Sequence, residues 1–265
     1  MPAIISYGNN EFRVLKKLGE GAFGTVYKVE SQKSRHYALK MIPLQAGDAK
    51  ARAEVQHEVQ ILKCQANRHN NVIKYYDSWF RGSELCILME FAPNGTLLDY
   101  IDHARESATY IPEMEVVHML KQMLSALDFF HTKLNVVHRD VKPENIMATS
   151  THTTDQTTYK LIDFSISARS MEAGAGLSDQ GSDTTGTARL RANVGTAHFM
   201  SPEQHTEGLW VAEQSDLWNL GATMFTVLTG NPPIAPDKKD TYAISIAVRD
   251  TNPESIKQAR PLFLC

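Results

Sequence analysis

Val137-His138-Arg139-Asp140-Val141-Lys142-Pro143-Glu144-Asn145-Ile146-Met147 sets acidic, basic and amide side chains and a proline between two apolar runs. Leu134 to Val137 leads in, and Ile146-Met147 leads out. A polar loop flanked by core-forming residues has to find partners for its charges, because an unpaired buried charge is costly. The segment therefore reads as a working loop, and the rest of the chain can be read outward from it.

The chain has 265 residues, 42% of them hydrophobic, and a formal charge of −3. That length suits one large domain or two lobes that share a cleft, with ample core. The near-balanced charge gives no bulk case for a nucleic-acid or anionic-membrane partner. Cys64, Cys86 and Cys265 are scattered and form no C-x-x-C pair, which argues against a zinc knuckle or a disulfide framework. Met1 to Asn10 lacks a basic and apolar leader pattern, and the most apolar stretch, Leu217 to Leu228, is too short to span a bilayer. The expectation is a reduced, intracellular and cytoplasmic setting, with no membrane segment.

In the first half, Phe12 to Leu18 reads as a strand running into Gly19-Glu20-Gly21-Ala22-Phe23-Gly24-Thr25-Val26. A G-x-G-x-x-G of the dinucleotide-binding kind needs a helix to open at its third glycine. Here Thr25 to Val29 is β-branched and aromatic, so a second strand follows and the glycines sit at a hairpin tip. Backbone amides at such a tip can approach phosphates closely. In Tyr37-Ala38-Leu39-Lys40-Met41-Ile42, Ala38, Lys40 and Ile42 share one strand face. A lysine there needs an anion, unless it lies on an exposed edge. Ala49 to Ala66 reads as a helix with Val55, Val59 and Leu62 on one stripe and Glu58 beside them. Glu58 is the natural partner for Lys40; Glu54 is its neighbouring rival, and a solvated border position is the plain alternative. Val72 to Phe80 and Glu84 to Phe91 complete five strands. Pro93-Asn94-Gly95 turns, and Thr96 caps a short helix carrying Leu97, Leu98 and Ile101.

In the second half, Pro112 opens a helix to about Thr132 whose Val116, Leu120, Met123, Leu127 and Phe130 repeat at helical spacing. His118 and His131 are expected on its surface. A threonine-rich run from Thr149 to Thr158 reads as a hairpin tip, and Tyr159 to Ile162 returns as a strand into Asp163-Phe164-Ser165. Ser170 to Arg191 is rich in small polar residues and reads as a flexible segment. Asp216 to Thr229 is apolar nearly all round, with Ser215 as N-cap and Gly230 as its stop, so it is the central helix. Thr241 to Arg249 forms one more helix.

The loop's H-R-D-x-K-x-x-x-N spacing resembles the catalytic loop of protein kinases of the serine/threonine type, and the motifs from Phe12 to Pro233 follow that family's order. The resemblance implies an α+β, two-lobed fold over 11–265. It has a small five-stranded antiparallel sheet lobe with one helix (11–91) and a larger, mainly helical lobe (92–265), incomplete at its end. It implies ATP in the cleft, with Leu18, Gly19, Glu20, Gly21, Ala22, Phe23 and Gly24 forming the phosphate-covering loop. Val26, Ala38, Met89 and Met147 would face the adenine, and the hinge Glu90-Phe91-Ala92 would meet its edge through the backbone of Glu90 and Ala92. Lys40 would grip the phosphates and pair with Glu58. Asp140 would orient the substrate hydroxyl and accept its proton, with Lys142 balancing charge. Asn145 and Asp163 would hold Mg2+. Asp216 would hold the catalytic-loop backbone, His138 would pack structurally, and Thr196 would brace Asp140 and Lys142. Asn193 to Glu203 resembles the peptide-binding loop and the A-P-E motif, with Ser201 for alanine.

Implied partners are protein substrates carrying Ser or Thr, and an upstream kinase or autophosphorylation acting on Ser178, Ser182, Thr184, Thr185 or Thr187. A phosphate there could pair with Arg139, Arg169, Arg189 or Arg191; an inert insertion is the alternative. The family's usual D-F-G triplet is D-F-S here, and a positive φ at Ser165 would cost about 1–2 kcal/mol more than at glycine. Further helices are expected after Pro233, where only Ile234 to Cys265 remain. Ser165 and that short end favour a rival reading, a pseudokinase that binds nucleotide or partners without catalysis. Lys40, Glu58, Asp140, Asn145 and Asp163 together oppose it. A small-molecule phosphotransferase is a third reading, opposed by Thr196 and the peptide-loop motif.

Overall fold

The computed structural model describes residues 3–21, 24–43, 59, 68–134, 136–149, 157–162, 168–169, 197–205, 213–234 and 240–250. The chain divides into two compact units, Met1–Pro93 and Asn94–Cys265.

The first unit is built on one antiparallel sheet. Its strands are β1 (Ile4–Tyr7), β2 (Asn10–Gly21), β3 (Gly24–Ser31), β4 (His36–Pro43), β5 (Tyr75–Arg81) and β6 (Glu84–Glu90), in the order β1-β2-β3-β4-β6-β5. Alternation decides the two faces. Val29, Leu39, Met41, Trp79, Cys86 and Leu88 point to one side and are buried with Ile5 and Phe12. Each such aliphatic side chain contributes about 1.5–3 kcal/mol on burial. Burial also pushes the Cys86 thiol up to about 11.

The sheet has six strands where the sequence predicts five. β1 is the addition, and sequence-distant contacts secure it: Tyr7 stacks on Trp79 with centroids 4.4 Å apart, and Phe12 stacks on the same indole at 5.9 Å. β5 begins at Tyr75, not Val72. Of the helix expected over Ala49 to Ala66, only Val59 is described, helical and buried; Glu54 and Glu58 lie outside the described residues.

The second unit is mainly helical, and among its described residues no helix is long and apolar enough to cross a membrane. Helix α1 (Leu97–Glu106) starts at a reciprocal cap: Asp99 N donates to Thr96 Oγ1 at 3.1 Å, and Thr96 N to Asp99 Oδ2 at 2.7 Å. Helix α2 (Glu113–Asp128) carries the core residues Met119, Met123, Ala126 and Leu127. It passes into a π-helical turn, Phe129–Leu134, so the α-helix ends earlier than the expected Thr132. Strand β7 (Val136–Val137) pairs with β10 (Ala168–Arg169), and β8 (Ile146–Ala148) pairs with β9 (Tyr159–Leu161).

Gln122 on α2 grips the β9 edge, donating to Thr157 O at 2.8 Å and accepting from Tyr159 N at 2.9 Å. Glu115 accepts from the Tyr159 hydroxyl at 2.6 Å and the Tyr100 hydroxyl at 3.1 Å, tying α1, α2 and β9 together. Burial pushes both phenols above their ordinary range.

Helix α3 (Glu213–Thr229) is central, with Leu220, Ala222, Met224 and Val227 buried. Thr223, Thr226 and Thr229 are buried too, each donating its hydroxyl to the carbonyl four residues earlier, which satisfies it inside the core. Two expectations are corrected. Ser215 is a buried first-turn residue and not the N-cap, because Glu213 and Gln214 already continue the helix. Leu217 and Leu228 are exposed, so α3 is not buried all round. Helix α4 (Thr241–Asp250) packs Ile244 and Val248 against Ala197 and Ile234.

Candidate active site

The first unit carries a sheet face opposite its aromatic core. Cross-strand register places Val26 opposite Lys40 and Lys40 opposite Ile87, while Lys28 pairs with Ala38 and Ala38 with Met89. Rows two residues apart share a face, so Val26, Ala38, Lys40 and Met89 lie together. Lys40 is 9% exposed, flanked by apolar neighbours. A cation so enclosed gains most from an anionic ligand or partner. Glu90 and Ala92 lie at the end of β6 and just beyond it, with the amide of Glu90 donating to Lys74 O at 2.8 Å.

The glycines of the β2–β3 hairpin are not equivalent. Gly24 has φ +121°, and a Cβ there would meet Met41 O at 2.2 Å, so the fold itself demands glycine. A Cβ on Gly19 would meet nothing within 4 Å. Leu18 and Glu20 are exposed strand residues, and Gly21 pairs with Gly24. Ala22 and Phe23 lie outside the described residues.

The second unit carries the loop from His138 to Asn145. Asp216, fully buried on α3, accepts from His138 N at 2.8 Å and Arg139 N at 2.7 Å, and from His131 Nε2 at 2.8 Å. These bonds hold Arg139 in a left-handed conformation, φ +70°, which an L-residue adopts only when its surroundings impose it. The His138 ring is fully buried; its Nδ1 accepts from Asp140 N at 3.3 Å, so Nε2 carries the proton and donates to Ile162 O at 3.1 Å. His138 is thereby a brace inside the loop.

Asp140 and Lys142 meet at 2.8 Å, Nζ to Oδ2, with side chains 14% and 16% exposed. Asn145 donates Nδ2 to Asp140 O at 2.8 Å and to Asp140 Oδ2 at 2.9 Å. With its nitrogen committed to Asp140, the amide has its carbonyl oxygen left as a ligand atom. Met147 lies in β8, bridged to Thr96. Glu144 is largely buried, and desolvation raises its carboxyl above the ordinary 4.5. Asp163, Phe164, Ser165 and Thr196 lie outside the described residues, as do Ser178, Ser182, Thr184, Thr185 and Thr187.

Sequence reasoning misreads one residue of this region and misses two. His131 is not a surface residue but the third donor to Asp216; its spacing four residues from the buried Leu127 is the signal that could have placed it. Gln204, in a 3₁₀ turn (Pro202–His205), donates to Arg139 O at 3.0 Å. Asn219 on α3 donates to Gln204 Oε1 at 3.0 Å and also to Phe199 O. No local pattern marks these last two, because their partners are distant in sequence.

A β-sheet unit with an enclosed lysine beside a glycine hairpin, and a helical unit with this braced acid–lysine–asparagine loop, define a class. The family profile described as Protein kinase domain matches residues 12–260, and the chain belongs to the eukaryotic protein kinase family. It is 29% identical over 243 residues to the serine/threonine-protein kinase KIC1 of Saccharomyces cerevisiae, covering 91% of this chain and 20% of that protein. It is 33% identical over 222 residues to mitogen-activated protein kinase kinase kinase 19 of Homo sapiens, covering 82% and 15%. With serine/threonine-protein kinase TIO of Arabidopsis thaliana it shares 32% over 227 residues, covering 85% and 15%. The chain thus spans a fifth or less of the length of these three relatives.

Proposed function

We propose that the chain is a catalytically active protein kinase, transferring the ATP γ-phosphate to Ser or Thr hydroxyls of protein substrates with Mg2+. The observation that carries this reading is the Asp140–Lys142–Asn145 arrangement, held by Asp216 at a strained Arg139. Asp140 is oriented by two donors on Oδ2, as a group that must accept a hydroxyl proton requires. Lys142 sits on that carboxylate and is placed to balance charge on a transferring phosphoryl group. On the β-rich unit, Lys40 supplies an enclosed cation for phosphate oxygens, and Val26, Ala38 and Met89 share its face as an apolar seat for a purine.

The donor set suits magnesium, which takes hard oxygen ligands from one or two protein groups plus phosphates. Asn145 and Asp163 would hold the ion, which when bound neutralises charge on the phosphates. Most of the rate enhancement then comes from positioning and electrostatics. Glu58 is proposed as the partner of Lys40, and the chain as an intracellular, cytoplasmic enzyme subject to phosphorylation by an upstream kinase or by itself.

Ser165, in place of the family's glycine, favours a second reading: a pseudokinase that binds nucleotide without transfer. Radiolabelled transfer from ATP to a generic basic protein with magnesium, beside an Asp163→Ala control, tests both. Transfer that vanishes in the control supports the enzyme. Absence of transfer alongside ATP-dependent thermal stabilisation supports the pseudokinase.

A further inference from the structure

Arg139 is the most constrained backbone position of the loop, and its two peptide groups are held from different elements. Its N–H is fixed by Asp216 of α3, while its carbonyl receives Gln204 Nε2 at 3.0 Å. The other end of the same amide is saturated. Gln204 Oε1 accepts from Ser201 N at 2.9 Å, Ser201 Oγ at 3.1 Å and Asn219 Nδ2 at 3.0 Å. Asn219 is buried and donates in addition to the carbonyl of Phe199, inside the segment that precedes the turn. One side chain therefore joins the residue before Asp140, the 197–201 segment and the central helix.

The backbone must hold a left-handed φ at an arginine for Asp140 to be presented as it is, and that conformation is disfavoured for any side chain bearing a Cβ. The Asp216 clamp acts on the preceding peptide, and the Arg139–Asp140 peptide itself is held on its N–H side by the long bond from Asp140 N to His138 Nδ1, 3.3 Å. The Gln204 bond, 3.0 Å, is the shorter of the two and fixes the same peptide from its carbonyl side. We propose that Gln204 is a positioning residue: it sets the orientation of the Arg139–Asp140 peptide and ties it to the 197–201 segment, which resembles the family's peptide-docking loop. This rests on the kinase reading above, and deepens it by linking substrate seating to presentation of the proton acceptor.

The decisive variant is Gln204→Glu. It keeps the size and the acceptor for Ser201 and Asn219 but loses the Nε2 donor to Arg139 O. Gln204→Ala removes both ends. The expected result for Gln204→Glu is a fall of about tenfold in kcat, the loss of one hydrogen bond's worth of positioning. The KM for ATP should stay within about twofold. The introduced carboxylate oxygen faces the Arg139 carbonyl, so the thermal midpoint should fall, and kcat is compared at a temperature where native chain and variant are both fully folded. Gln204→Ala should lower kcat further and raise the KM for the peptide, because the 197–201 segment loses its anchor as well.

A kcat unchanged in Gln204→Glu, or one that falls only in step with the folded fraction, overturns the proposal. Amide hydrogen exchange of residues 138–141 gives a readout independent of transfer. Faster exchange there in Gln204→Glu than in the native chain supports the coupling, and equal exchange overturns it. If the native chain transfers no phosphate, the kinase reading fails on that ground, and the exchange comparison still decides the role of Gln204.

Discussion

Replacing Asp216 by asparagine removes one charge and one acceptor at nearly constant volume, and three hydrogen bonds depend on that carboxylate. It is fully buried and accepts from His138 N and His131 Nε2 on Oδ2 and from Arg139 N on Oδ1. Whichever way the introduced amide is turned, one backbone N–H of the catalytic loop faces an NH2 group in place of an oxygen. A hydrogen bond to a charged group contributes about 1.5–3 kcal/mol, and the bonds that survive weaken as the acceptor becomes neutral. The combined cost is about 3–5 kcal/mol. At about 2–4 °C per kcal/mol for a chain of this size, the thermal midpoint of Asp216→Asn should fall by roughly 6–20 °C. The assay is thermal unfolding of native and variant chains by circular dichroism. Amide exchange at His138 and Arg139 identifies where the loss sits, and both should lose protection. A shift smaller than about 3 °C, with protection of those two amides unchanged, would refute the claim that Asp216 holds the strained loop.

Gly24→Ala should destabilise the β-rich unit through collision with Met41 O, whereas Gly19→Ala should leave the thermal midpoint within about 1 °C, its Cβ entering open space; weaker ATP binding in Gly19→Ala at unchanged stability would show that this glycine serves the ligand. Glu144 has its folded pKa raised by burial, so its penalty is absent below the unfolded value of 4.5 and stability is lost as pH rises through the folded value. Glu144→Gln should therefore gain thermal midpoint over the native chain at pH 7 but not at pH 4, and an equal difference at both would contradict this. Ser165→Gly should leave phosphate transfer equal or higher, since any positive φ needed there would cost serine more than glycine; a strong loss of transfer would mean the hydroxyl has a role of its own.

Legibility in the sequence tracks the range of the interactions. Alternation alone places Ala38 and Lys40 on one strand face, and the register puts Val26 and Met89 with them. The catalytic loop is legible because its working residues lie within a few positions of one another, and Asp216 because an acid at the start of an apolar helix needs a buried donor. What escapes depends on long-range partners. Strand β1 is short, and Tyr7 finds its stacking surface on Trp79, far along the chain. Gln204 and Asn219 look like ordinary polar residues until the turn at 202–205 is set against α3 and Arg139. Ser215 passes for a cap because a good capping residue also fits inside a first turn once Glu213 and Gln214 extend the helix.

If Asp140 accepts the substrate proton while other groups hold the nucleotide, chemistry and nucleotide binding must separate in Asp140→Asn. Phosphate transfer to a serine or threonine peptide and ATP affinity should be measured on the same preparation of that variant. Transfer should be lost while ATP affinity stays nearly unchanged. Transfer retained in the variant, or ATP affinity lost along with it, would contradict the assignment.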